Sequence, residues 1–169
     1  EVAQRHLQSK EQNNEEYWLQ YIAQIEERVE LSGLLDNDKN HVKLSHYKHI
    51  LEPENQILVI EGQLYKDLRE CAQREGITLN SILQYVWHKV LNIYGSSNQT
   101  TVGMTVSGRN LPIDGIENSV GLYINTLPIV VTHTQSDKLI SAIKSLQDNI
   151  NEINIRSNQS LARLQKAGE

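Results

Sequence analysis

Phenylalanine is absent from the 169 residues, cysteine occurs once, as Cys71, proline three times and tryptophan twice. A single thiol can form neither an internal disulfide nor a cysteine-ligated zinc centre, which excludes a stapled secreted domain and a zinc finger. Long hydrophobic runs are missing too. Stretches such as Ile57-Leu58-Val59-Ile60 fall far short of the roughly 18 residues that a membrane helix needs. The opening Glu1-Val2-Ala3-Gln4-Arg5-His6 lacks the basic-then-apolar pattern of a signal peptide and resembles the middle of a longer protein. A cytoplasmic location is therefore expected. A basic excess is also lacking: 16 Lys+Arg stand against 21 Asp+Glu, a net charge of -5 that lies entirely within residues 1–40. With no basic patch interleaved with aromatics, no nucleic-acid partner is expected.

What is present is branched aliphatic. Leu, Ile and Val make up 48 of the 169 residues, enough for a core that aromatics supply only sparingly. Spacings of three and four predict a helix over residues 15–31, capped by Asn13-Asn14, lined by Trp18, Leu19, Ile22, Ile25 and Val29, and ended by Gly33. A polar linker over 36–43 precedes a half-exposed strand over 44–51, stopped by Pro53. The aliphatic run within 56–61 predicts a short buried strand. Helices follow over 64–74, lined by Leu64, Leu68, Cys71 and Ala72, and over 79–94, lined by Leu79, Ile82, Leu83, Val86, Trp87, Val90, Leu91 and Tyr94. Gly76 closes the first and Thr78 opens the second. Cys71 is expected to fill core space rather than act as a nucleophile.

The β-branched segment 100–106 predicts a strand, with Gly103 allowing close approach of backbone or ligand. A loop over 107–119 leads to a β-rich segment over 120–134 that Pro128 interrupts. Ser136 caps a long helix with Leu139, Ile140, Ile143, Leu146, Ile150 and Ile153 inward, and a short helix over 160–166 follows. Alternating strands and helices predict an α/β two-layer sandwich, a mixed sheet packed by helices.

Three runs carry a family resemblance: Thr78-Leu79-Asn80-Ser81 through Trp87; Val102-Gly103-Met104-Thr105-Val106-Ser107-Gly108-Arg109; and Val120-Gly121-Leu122-Tyr123-Ile124-Asn125-Thr126-Leu127-Pro128. Together they closely resemble the condensation domains of nonribosomal peptide synthetases, and Tyr17-Trp18 and Leu161 to Gln165 fit the same pattern. The resemblance spans essentially the whole chain but less than half of a complete domain. It implies residues 1–169 are the C-terminal lobe of a two-lobed, chloramphenicol-acetyltransferase-like fold, one half of that fold. The family's His-His-x-x-x-Asp-Gly motif lies in the other lobe, and no His-His pair occurs here. The fragment alone is therefore expected to be inactive. The family's next element, an apolar strand, lies beyond Glu169, so an open sheet edge and exposed apolar surface are expected.

By resemblance the parent reaction joins an aminoacyl amine to an upstream acyl or peptidyl thioester as an amide. The implied partners are the N-terminal lobe, the upstream and downstream carrier proteins and an adjacent adenylation domain. The implied cofactors are the carriers' phosphopantetheine arms, with none bound directly. Ser107 and Asn125 are the supporting polar candidates. Ser107 either reaches the substrate tunnel or starts a turn. A buried Asn125 amide must be hydrogen-bonded, and is expected to pin the loop lining the tunnel. Arg109 is expected in a salt bridge rather than on substrate. Gly108 and Gly121 serve the backbone by positive φ or close approach, and Tyr123 lies beside them along the tunnel. The motif departs from the family after Pro128, where Ile129-Val130-Val131 carries no Arg.

No metal site is expected. His46 and His49 differ by an odd number and face opposite sides of a strand, so they do not join His41 around an ion. His88, beside Trp87, is expected to be partnered or exposed. An alternative within the enzyme class is an epimerisation domain or another acyltransferase relative. A different class is a non-catalytic module that docks a carrier protein or partner domain on the same half fold.

Overall fold

The computed structural model describes residues 14–26, 31, 55–95, 97–107, 109, 118, 120–121, 123–134, 136 and 138–167. Along them run α1 (residues 14–23), α2 (Gly62–Glu75), α3 (Leu79–Gly95), β1 (Gln99–Val106), β2 (Asn125–Thr132), α4 (Leu139–Ile155) and α5 (Leu161–Ala167). The expected polar linker and the strand over 44–51 lie outside the described residues.

β1 and β2 pair antiparallel, with Gln99 opposite Thr132 and Val106 opposite Asn125. Alternation then sorts the side chains. Thr100, Val102, Met104 and Val106 share one face with Asn125, Leu127, Ile129 and Val131. Helices α3 and α4 cover that face, where Leu127, Ile129 and Thr100 are fully buried with Ile143, Leu146, Ile150 and Ile153 of α4. Helices on one face of a sheet make the two-layer α/β arrangement expected from the sequence.

The turn between α2 and α3 is locked locally. Gly76 takes the left-handed φ of 68° that lets its N–H reach the carbonyls of Ala72 and Gln73. Thr78 Oγ1 accepts from the Ser81 N–H at 3.0 Å, the expected cap. Gln147 of α4 then holds the turn from below. Its Oε1 accepts from Thr78 N–H at 2.7 Å and its Nε2 donates to the Gly76 carbonyl at 3.1 Å.

Helix α1 is shorter than its periodicity predicts. Gln99, at the start of β1, donates from Nε2 to the Gln24 carbonyl at 2.8 Å and accepts the Glu26 N–H on Oε1 at 2.8 Å. A side-chain amide thus takes the bonds that another helical turn would have used, and the chain leaves the helix at Gln24. Trp18, 1% exposed, ties α1 to the end of α4 by donating from Nε1 to the Arg156 carbonyl at 3.1 Å.

Pro128 does not interrupt its strand, contrary to expectation. Val130, two residues on, donates its N–H away from β1 to the Tyr21 hydroxyl at 3.0 Å. Position 128 has the same parity, so the N–H that proline lacks belongs to the outer edge and no ladder bond is lost.

Other expectations also need correcting. The run over 56–61 is not a buried strand: Ile57, Leu58 and Val59 are 85%, 87% and 67% exposed, and no described residue pairs with them. Leu64 is exposed because α2 has a major contact with α3 alone, which narrows its buried stripe to Ala72. In α3 the buried residues are Ser81, Ile82, Tyr85 and His88, while Leu83, Val86, Trp87 and Tyr94 are half-exposed. The helix turns two polar side chains inward because each has a partner there, Gln147 for Ser81 and Thr100 for His88. Lys138, not Ser136, stands at the N-cap of α4, without a side-chain cap, and Leu139 in its first turn is exposed. Cys71 is half-buried on α2.

Tyr21 Oη accepts from both Val130 N–H and Asn149 Nδ2, the latter at 2.9 Å. Tyr21→Phe leaves the Val130 N–H without an acceptor and the Asn149 amide with the Val130 carbonyl at 3.3 Å, and is expected to lower unfolding stability by about 1–3 kcal/mol, measured by urea denaturation. An unchanged midpoint would show that water replaces the phenol at no cost.

Candidate functional site

The expected polar candidates gather where the hairpin's strands part. Ser107 directly follows Val106, and Val106 pairs with Asn125. Ser107 is exposed and lines a cleft of about 440 Å³ bounded by Asn80, Leu83, Trp87 and His88 of α3, by residues 102–107, and by Ile150 and Asn154 of α4.

Asn125 is already fully engaged. Its Nδ2 donates to the carbonyls of Ser157, at 3.1 Å, and Gln159, at 2.5 Å, and its Oδ1 accepts from Thr126 N–H at 2.9 Å. Both amide hydrogens are therefore spent on the turn between α4 and α5, leaving none for a reacting oxygen. The amide pins that turn to the first residue of β2.

Arg109 lies over the ring of Tyr123, its guanidinium carbon 4.5 Å from the ring centroid, a cation–π contact joining the segments after β1 and before β2. Gly121 needs no positive φ, but an added Cβ would lie 3.2 Å from Tyr123 Cε2, so close approach is its role. Gly108 lies outside the described residues. Gly103 also fits the close-approach expectation, since a Cβ there would meet Thr126 Cγ2 at 2.9 Å.

Sequence reasoning missed the main polar group in the cleft. His88, 1% exposed, shares a 2.7 Å hydrogen bond between Nδ1 and Thr100 Oγ1, which lies 3.2 Å from His133 Nε2. Its own Nε2 is buried without a partner at the cleft wall. Desolvation, with a smaller repulsion from His133, lowers the His88 pKa from 6.5 to about 4. His88 is thus a buried neutral imidazole, partnered as expected on one nitrogen but not exposed. Its helical spacing is the only sequence signal that points to this burial.

Among the described residues no three His, Cys, Asp or Glu side chains converge on a possible metal position. The His41, His46 and His49 set lies outside them. No helix of the described residues is long and apolar enough to cross a membrane.

The condensation-domain family model matches residues 1–169. The chain belongs to the condensation-domain family. It is 40% identical over 167 residues to an N-(5-amino-5-carboxypentanoyl)-L-cysteinyl-D-valine synthase of Amycolatopsis lactamdurans, covering 97% of this chain and 5% of that protein. The synthase of the same name from Penicillium rubens is 42% identical, with 96% and 4% covered. Bacitracin synthase 3 of Bacillus licheniformis is 28% identical over 150 residues, with 89% and 2% covered. The chain therefore spans about one twentieth or less of these relatives. The crystal structure of holo T3CT shares the fold, with a TM-score of 0.52 and 24% identity over 55% of this chain and 22% of that one.

Two outcomes follow from the site. Because the folded pKa of His88 lies below its unfolded value, the unfolded chain binds the extra proton. Stability is therefore full above pH 6.5 and falls as pH drops toward 4. Urea midpoints should show a loss of about 2 kcal/mol between pH 6.5 and 5, much reduced in His88→Gln. A profile identical in the two proteins would mean that His88 is solvated. Asn125→Ala should cost about 1–3 kcal/mol in the same assay by orphaning the Ser157 and Gln159 carbonyls. Wild-type stability in that variant would return Asn125 to the list of free donors.

Proposed function

We propose that this chain is the C-terminal lobe of a nonribosomal peptide synthetase condensation domain. In this reading the whole domain joins a carrier-bound acyl or peptidyl thioester to a carrier-bound aminoacyl thioester, and the amine attacks the thioester carbonyl to leave an amide and a free thiol. Most of the acceleration comes from holding two tethered reactants in line, and the remainder from donors aimed at the developing oxyanion. The proposed partners are the N-terminal lobe, two peptidyl carrier proteins whose phosphopantetheine arms deliver the substrates, and a neighbouring adenylation domain. The proposed location is the cytoplasm. The family match along the whole chain supports the assignment.

The observation that carries the site reading is the contrast between the two polar candidates. Asn125 spends both amide hydrogens on backbone, whereas the Ser107 hydroxyl is exposed at the open end of β1. Ser107 is the proposed donor that this lobe offers to the reaction, while Asn125 is a positioning residue. The Arg109–Tyr123 stack, with Gly121 packed against it, sets the course of the segments beside the proposed tunnel.

The isolated chain should produce no amide from carrier-bound substrates. In the complete synthetase, Ser107→Ala should lower kcat by about 10- to 100-fold with little change in KM, as expected for a contact made mainly in the transition state. Turnover by the isolated chain, or full activity of the Ser107→Ala synthetase, would refute the reading.

A further inference from the structure

One hydroxyl stands between two histidines at the start of the hairpin. Thr100 Oγ1 lies 2.7 Å from His88 Nδ1 of α3, 3.2 Å from His133 Nε2 just past β2, and 3.4 Å from the Val131 carbonyl. Thr100 is fully buried and His88 nearly so, whereas His133 is half-buried and held in place by its backbone N–H, which donates to the Asn98 carbonyl at 2.7 Å. A hydroxyl has a single hydrogen, and a neutral imidazole has one N–H and one bare nitrogen. Each member of this chain therefore decides what the next can donate.

While His133 Nε2 is bare, it and the Val131 carbonyl both draw the hydroxyl hydrogen, and Thr100 Oγ1 accepts from a His88 Nδ1–H. That tautomer also leaves a lone pair, rather than an N–H, on the buried His88 Nε2, the less costly group to leave without a partner. Protonating His133 puts a hydrogen on Nε2, which then donates to Thr100 Oγ1. The hydroxyl hydrogen loses that acceptor. The Val131 carbonyl at 3.4 Å is too distant for a good O–H···O bond, whereas His88 Nδ1 at 2.7 Å is well placed. His88 accepts there only by giving up its Nδ1 proton and carrying one on Nε2.

We propose that His133 and Thr100 form a pH-sensitive relay, in which protonation of His133 reverses the Thr100 hydroxyl and shifts His88 from its Nδ1–H to its Nε2–H tautomer. His88 releases one proton and takes up another, so it stays neutral and the one net proton sits on His133. Its Nε2, at the wall of the cleft that Ser107 lines, changes from acceptor to donor. Burial keeps His88 itself from charging over this range, since desolvation, with a smaller repulsion from His133, lowers its pKa to about 4. Among the described residues the other groups around the pair are uncharged: Tyr85 of α3, its ring 6.0 Å from that of His133, and Ile150 and Asn154 of α4. Lys89, next on α3, is turned to Asn92. The proposal does not depend on the catalytic reading.

Side-chain 15N NMR, which separates bare from protonated imidazole nitrogens, tests it on the chain between about pH 8 and about pH 5, where histidines ordinarily charge. His88 Nε2 should move from the bare to the protonated range, and Nδ1 the opposite way, at the pH where His133 charges. In His133→Gln and in Thr100→Val, His88 should hold one tautomer throughout. Thr100→Ser restores the hydroxyl and should regain the change. The β1 and β2 amide signals check that each variant is folded, and His133→Gln with Thr100→Ser carry the test if Thr100→Val is not. A constant His88 tautomer in the wild type, a tautomer change that persists in His133→Gln, or charging of His88 together with His133 would overturn the proposal.

Discussion

The register of β1 against β2 is the constraint on which the rest of the structure depends. With Val106 opposite Asn125, every even-numbered residue of β1 faces α3 and α4, which buries Thr100, Met104 and Val106 against Leu127 and Ile129. A slip of one residue would send Thr101, Gly103 and Thr105 into the core and turn the aliphatics outward. The same register puts Ser107 beside the start of β2, places Pro128 where its missing N–H costs nothing, and gives Thr100 to His88. Core, candidate site and edge chemistry thus follow from one alignment.

Side-chain amides do the joining between elements. Gln99 closes α1 onto β1, Gln147 closes α4 onto the turn before α3, and Asn125 closes β2 onto the turn after α4. Each offers a donor and an acceptor, so each meets the backbone's demand in both directions at once. The abundance of Asn and Gln, 15 and 14 of the residues, is in part this joinery. It suits a chain with no phenylalanine and few aromatics to brace its elements.

What was legible in the sequence was what local chemistry decides. Gly76 and Thr78 mark the α2–α3 turn within a residue, and the three inward isoleucines and one leucine of α4 follow their spacing because that helix lies along the sheet. The family was legible because its motifs are contiguous. Distance in sequence hid the rest. The end of α1 depends on Gln99, some 73 residues away, and the inward turn of His88 depends on Thr100 across a helix-to-strand connection. The tolerance of Pro128 depends on register, which no single strand discloses. The aliphatic run at 57–60 has the composition of a covered strand, but composition names no cover.

Residue-resolved amide hydrogen exchange on the chain tests the central claim of register most directly. The N–H groups of Val102 and Met104, bonded to β2, and of Val130, bonded to Tyr21, should exchange slowly. Those of Thr101, Gly103 and Thr105, facing outward, should exchange fast. Protection of Thr101, Gly103 and Thr105 with fast exchange at Val102 and Met104 would place β1 one residue out of the described register, and would contradict the core, the site and the edge together.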